Sequence, residues 1–180
     1  KGYEEVGGIA GRINSAKIYQ AFSYGTVTGT YKYAEIGGII GWGSGASAEQ
    51  VYAYNKALTV PSTSSYAGLV MSDYVASIKN GVALSGILDA DNSYGVTHTM
   101  LIENIKNKAT YESYGFKFGD DWTMIDGETT PTLTFSGMTG DYVSGKWVFK
   151  NMYIDAAPKA VELAEQTKLS SDVEAAQVLV

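Results

Sequence analysis

The sequence predicts a mainly β protein built as a short parallel β-solenoid of about three 30-residue coils, with a helix-plus-hairpin cap and a partly helical C-terminal tail. Three observations predict it. The segment Val6-Gly7-Gly8-Ile9-Ala10-Gly11 returns as Ile36-Gly37-Gly38-Ile39-Ile40-Gly41 and, worn down, as Tyr66-Ala67-Gly68-Leu69-Val70-Met71. A second element keeps the same register: Ala21–Gly25, Val51–Asn55 and Gly81–Ser85. The pattern then stops, because Thr97-His98-Thr99-Met100 carries no glycine pair where the next unit would fall. Self-similarity at a fixed period of roughly 20–50 residues is the signature of stacked repeats.

Within 1–95 each unit reads as strand, turn, strand, loop. The first strand covers Val6–Arg12, Ile36–Trp42 and Tyr66–Met71, where the glycines let neighbouring backbones approach closely. Asn14-Ser15 and Gly43-Ser44-Gly45 supply the turns. The second strand covers about Ile18–Thr28, Ala48–Leu58 and Ile78–Leu88. Side chains alternate between faces along a strand, which sorts its positions into two sets. Ala21/Val51/Gly81, Ser23/Ala53/Ala83 and Val27/Ala57/Ile87 are small or aliphatic and are expected to fill the interior. Gln20/Gln50/Asn80, Phe22/Tyr52/Val82 and Tyr24/Tyr54/Leu84 are expected outside or under a covering segment, with the opposite assignment left open by parity.

Residues 96–135 read as the cap. Leu101, Ile102, Ile105 and Ala109 share a face, so the spacing predicts one helix over Thr99–Ala109, capped by Thr97 or Thr99. Phe116 with Phe118, and Trp122 with Met124, predict two strands around a Gly-Asp-Asp turn. An open end of stacked strands exposes edges and core, so a terminal unit of different make is expected. In 136–180, Lys146–Lys150 is the best strand; Asp155-Ala156-Ala157-Pro158 opens a helix, and Ser171-x-x-Glu174 has capping-box spacing for another. This tail packs on the repeats or belongs to a neighbouring domain.

The glycine pairs at 7–8 and 37–38, followed by Ala21-Phe22-Ser23-Tyr24-Gly25-Thr26-Val27-Thr28-Gly29, resemble the GLUG repeat of bacterial surface proteins. The segment after the repeats, with an aromatic strand, Trp122 and Pro131-Thr132-Leu133, resembles what closes such arrays. The resemblance covers about half the chain; the third unit departs from it at Ala67 and Met71. It implies a β-helical segment of an adhesin, or the non-catalytic region of a protein similar to IgA1-specific metallopeptidases.

Composition narrows the function. A formal net charge of −6 argues against nucleic acid, which needs a basic stripe. Arg12 is the one arginine, so bidentate recognition of phosphate or carboxylate is a poor fit. With no cysteine there is neither a disulfide framework nor a thiolate metal site. No apolar run reaches the roughly 18 residues that a membrane span needs. The chain starts at Lys1 without a signal pattern and reads as processed or trimmed. Its 14 tyrosines, 21 glycines and low charge suit a bacterial extracellular or cell-surface protein.

No reaction is written in the chain. The single His98 has no His-Glu-x-x-His context, so the zinc-peptidase signature is absent. Asp89-x-Asp91-x-Ser93 imitates a calcium loop, but Tyr94 and Met100 stand where the glycine and glutamate belong. Asp120, Asp121 and Asp126 are the carboxylates that a polysaccharide-cleaving β-helix enzyme would use. The expectation is a non-catalytic module without cofactor or metal. It binds a host glycoprotein or glycan through an aromatic strip of Phe22, Tyr24, Tyr52 and Tyr54, with Trp42 as a separate contact. The alternatives are an accessory domain of an IgA1-protease-like metallopeptidase and the polysaccharide-cleaving enzyme.

Overall fold

A computed structural model describes residues 1–61, 66–72, 77–86 and 98–152. It is mainly β, with parallel sheets and no closed barrel. Two compact units divide at residues 117 and 118. That division falls inside the stretch expected to form one cap. The helices expected between 155 and 178, the Asp89/Asp91 loop and the Val27/Ala57/Ile87 column's last member lie outside the described residues.

In the first unit the repeats pair with one another in parallel. Strands β1 (Glu5–Gly7), β4 (Glu35–Gly37) and β7 (Tyr66–Gly68) form one sheet. β2 (Ala10–Asn14) pairs with β5 (Ile40–Ser44). The long strands β3 (Lys17–Thr28), β6 (Ser47–Thr59), β8 (Ser77–Leu84) and the short β9 (His98–Met100) form a four-stranded sheet in that order. Like residues lie beside like: Val6 beside Ile36, Ala21 beside Val51 and Gly81, Phe22 beside Tyr52 and Val82.

The interior is the small and aliphatic set. Val51, Ala53 and Ala83 pack with Ile39, Ile40, Leu69, Val70 and Met71 in one buried cluster, joined by Ile18 and Ala21. Ile18 and Ala21 are an odd number of residues apart, which simple alternation forbids. The cause is a left-handed residue between them: Gln20 has φ 53°, and its counterparts Gln50 and Asn80 have φ 51° and 54°. Each long strand turns a corner there and resets its parity. The amide column marks that corner.

The period is not constant. β3 and β6 keep a 30-residue offset as far as Gly25 beside Asn55, then shift so that Thr26 faces Ala57 and Val27 faces Leu58. Lys56 is the extra residue of this bulge. Val27 therefore does not sit beside Ala57; it joins Val6, Ala34, Ile36 and Leu58 in a second small core. The extra residue carries forward, so Ile36 faces Ala67 and Gly37 faces Gly68. Gly68 is the partner of Gly37, and Leu69 stands at the level of Gly38. The 30-residue offset returns at Ser47 beside Ser77.

This register explains the worn third repeat. A Cβ on Gly8 would fall 2.9 Å from Ser23 Cβ and closer still to the Gly38 carbonyl; one on Gly38 would strike the Leu69 carbonyl in the same way. Each glycine is demanded by the layer stacked after it. Among the described residues β7 is the last strand of its sheet, and there Leu69 carries a buried side chain.

After β9, a 3₁₀ turn (Ile102–Asn104) leads to helix α1 (Lys108–Ser113). The expected helix over Thr99–Ala109 is displaced. Thr99 extends the parallel sheet instead, and the cap is Asn107, whose Oδ1 accepts from the Thr110 N–H at 3.2 Å. Leu101 and Ile102 are consequently exposed, and Ile105 and Tyr111 supply the buried contacts.

Among its described residues the second unit holds two antiparallel pairs. β10 (Trp122–Thr123) pairs with β11 (Thr132–Leu133), and β12 (Met138–Val143) with β13 (Lys146–Asn151). Trp122 thus pairs forward, not back across the Gly-Asp-Asp turn. Gly119 N donates to Trp122 O at 2.9 Å, a turn so tight that only a single bridge, Phe118 with Trp122, remains. β12 and β13 meet at Ser144-Gly145, both with positive φ, the two-residue turn that matches strand twist.

Candidate binding surface

The aromatic column of the long strands is in place, but most of it is not surface. Tyr52 and Tyr54 are fully buried at 0% exposure. Phe22 stacks on Tyr52 at 5.1 Å and 7°, and the Tyr24 and Tyr52 hydroxyls lie 3.0 Å apart. The segment after β9 covers the column: Tyr54 Oη hydrogen-bonds the Tyr111 hydroxyl and approaches Met100 Sδ at 3.3 Å. Tyr111 Oη donates to the Ile105 carbonyl at 2.8 Å. Burial pushes the phenols of Tyr52, Tyr54 and Tyr111 well above the usual tyrosine range, so all three stay neutral and act as hydrogen-bonding core.

This corrects the expected contact strip. Tyr52 and Tyr54 are withdrawn from it, and Phe22 and Tyr24 are half-buried around them. Large rings with a polar tip bury well when the tip finds a partner, and Tyr111 gives Tyr54 that partner. Trp42 is half-buried as well, with the Arg12 guanidinium 4.3 Å above its ring and Arg12 held 3.3 Å from Glu5. One face of its indole is already occupied.

One group of exposed aromatics lies elsewhere, at the corner made by residues 29–35 and the N-terminal segment. Tyr3 is 65% exposed and Tyr33 48%. Tyr3 stacks on Tyr31 with ring centroids 4.9 Å apart, and Tyr31 meets Tyr33 edge-on at 5.5 Å. Tyr31 packs on the small core of Val6, Val27, Ala34, Ile36 and Leu58, which anchors the group. Backbone hydrogen bonds fix it further: Tyr31 N to Tyr3 O at 2.8 Å, Ala34 N to Tyr31 O at 2.9 Å, and Thr30 Oγ1 to Gly2 O at 3.0 Å. Lys32 Nζ sits 4.7 Å over the Tyr33 ring. By sequence, 29–35 is only the loop between the second strand of the first unit and the first strand of the next. The signal passed over there is that Tyr3 and Tyr33 recur at the repeat distance outside any strand.

His98 lies flat on Tyr114 at 4.1 Å and 1°. Asp120 and Asp121 are exposed in the turn before β10, in the second unit, and Asp126 is exposed beyond that strand. No group of three or more metal-ligating side chains occurs among the described residues. Glu49 is bracketed by Lys17 and by Lys79 at 3.1 Å; the Lys17 hydrogen bond, then that of Lys79, holds its carboxyl below the usual range. No helix among the described residues is long and apolar enough to cross a membrane.

No protein-family model matches the chain, and neither does any curated protein or solved structure. The resemblance to GLUG repeats therefore rests on the repeated residues themselves.

Proposed function

We propose that residues 1–117 form a short β-solenoid of the GLUG type that serves, without catalysis, as a binding module of a bacterial extracellular or cell-surface protein. The observation that carries this reading is the tyrosine corner. Tyr3, Tyr31 and Tyr33 form an exposed aromatic surface on a backbone that is already hydrogen-bonded into place. Exposed apolar patches mark interaction sites, and tyrosine supplies rigid, amphipathic contact area at low entropic cost. Ring faces of this kind suit the C–H faces of a sugar, while Lys32, whose Nζ lies 4.7 Å over the Tyr33 ring, offers a polar contact to its hydroxyls. A glycan, free or on a host glycoprotein, is the ligand class.

The support is the parallel register between units, which repeats one layer on the next and holds the corner on a stiff frame. The test is a glycan array with the full chain and with Tyr3→Ala and Tyr33→Ala. Binding that falls about tenfold or more in both variants, with unchanged circular dichroism, supports the corner. Binding retained in both removes the corner from the reading. Depolymerisation of an array polysaccharide, lost in Asp120→Asn or Asp121→Asn, replaces the non-catalytic reading with an enzyme.

A further inference from the structure

The long sheet and its cover meet in a cluster of phenols. Tyr54 of β6 and Tyr111 of α1 hydrogen-bond hydroxyl to hydroxyl, and both side chains are fully buried. Tyr24 and Tyr52 hold a second such pair, with oxygens 3.0 Å apart. The rings stand close together: the Tyr54 centroid lies 4.6 Å from that of Tyr52 and 6.1 Å from that of Tyr24. The two pairs differ in what they join. Tyr24 and Tyr52 belong to β3 and β6, strands already paired residue by residue. Tyr54 and Tyr111 belong to the sheet and to the segment that covers it. The chain has no cysteine with which to fasten that cover.

We propose that Tyr54 and Tyr111 are the site of an oxidative cross-link, a carbon–carbon bond between the two phenol rings that locks the covering segment onto the sheet. Phenols couple through the carbons next to the hydroxyl, and the hydrogen bond holds those carbons of the two rings side by side. The oxidant is a one-electron acceptor, such as the ferryl haem that a peroxidase forms from hydrogen peroxide. Each phenol loses one electron to it and its hydroxyl proton to water. The two phenoxyl radicals then join ortho carbon to ortho carbon. The hydrogen on each joined carbon moves to its oxygen, which restores both phenols. Two electrons and two protons leave in all, and one hydrogen peroxide takes them up to become two waters. Contact between oxidant and pair is not needed, because an oxidising equivalent that reaches the cluster passes between neighbouring rings. Burial shields the first radical from outside partners, so the second oxidation completes the bond within the pair. The bond spans 57 residues of sequence and restricts the unfolded chain as a disulfide would.

The test is photo-oxidation of the full chain at low micromolar concentration with ruthenium tris-bipyridine and persulfate, which together supply a one-electron oxidant. Wild type, Tyr54→Phe and Tyr111→Phe are compared, each folded and in urea, by intact mass, dityrosine fluorescence and peptide mapping. The expected product is a single chain lighter by two hydrogens, in which the peptides bearing Tyr54 and Tyr111 are joined. Its yield should exceed that of the urea-unfolded chain about tenfold or more, and the cross-linked protein should unfold at higher urea. Either phenylalanine removes this product; Tyr54→Phe keeps the Tyr111–Ile105 hydrogen bond and so tests the link in a folded chain. Oxidation that modifies tyrosines without joining 54 to 111 overturns the proposal. So does a link that forms equally well in urea, or one that leaves the urea midpoint unchanged.

Discussion

Gly38→Ala probes the close approach of layers at its tightest point. A Cβ there would lie 2.6 Å from Asn55 Oδ1 and 2.7 Å from Ala53 Cβ, and nearer still to the Leu69 carbonyl oxygen. Comfortable carbon contacts begin at about 3.5 Å, so the layers must part by roughly 1 Å. None of the three neighbours yields easily: one is backbone, and Asn55 and Ala53 are fully buried. Overpacking costs about 1–3 kcal/mol, and with backbone on one side the upper value applies, about 3 kcal/mol. At about 2–4 °C per kcal/mol for a chain of 180 residues this lowers Tm by roughly 6–12 °C. The assay is thermal and urea unfolding of the full chain, followed by far-ultraviolet circular dichroism. Gly86→Ala is the comparison, since nothing lies within 4 Å of its added carbon and only its φ of +77° resists, for about 1–2 kcal/mol. A Gly38→Ala protein as stable as wild type, or more stable than Gly86→Ala, refutes the reasoning.

Three further outcomes follow from the buried tyrosines and the ion pairs. Tyr111→Phe leaves both the Tyr54 hydroxyl and the Ile105 carbonyl without this partner and should cost about 1–3 kcal/mol in denaturant unfolding, whereas Tyr54→Phe, which spares the Tyr111–Ile105 bond, should cost about 1 kcal/mol. Because the folded phenols of Tyr52, Tyr54 and Tyr111 hold their protons more tightly than the unfolded ones, stability is intact below pH about 10 and falls as pH rises above it; a tyrosinate absorbance titration should show these three ionising only with unfolding. Glu49, held below its ordinary range, contributes in the opposite sense: its share is present above the unfolded carboxylate pKa and is lost as pH falls through the folded value, and Glu49→Gln should remove that acid-side slope from a pH series of unfolding midpoints.

Much of the first unit was legible because its repeats are local and its glycines are steric requirements. Val6 beside Ile36 and Ala21 beside Val51 follow from counting. The aromatic column was legible too, as was its possible cover. What counting missed was a single inserted residue, Lys56, which moves Gly68 beside Gly37 and puts Leu69 level with Gly38. An insertion in a bulge leaves no compositional trace. Which segment covers Tyr52 and Tyr54 was hidden for another reason. It depends on Tyr111, 57 residues beyond Tyr54, and strand parity is blind to contacts of that range. The helix was misplaced because Leu101 and Ile102 fit a helical face as well as they fit exposed turn positions, while the Asn107 cap decides where α1 begins. Trp122 went to the wrong partner because two strand-like stretches next to each other read as a hairpin even where the turn is too tight to extend one.

The account stands on successive windows pairing in parallel, one residue block on the next. Inter-strand nuclear Overhauser contacts in a labelled sample measure that pairing. Val51 should show them to both Ala21 and Gly81, Tyr52 to both Phe22 and Val82, and Gly37 to Gly68. Contacts that place Val51 beside neither neighbour, or that run antiparallel between β3 and β6 within one chain, contradict it.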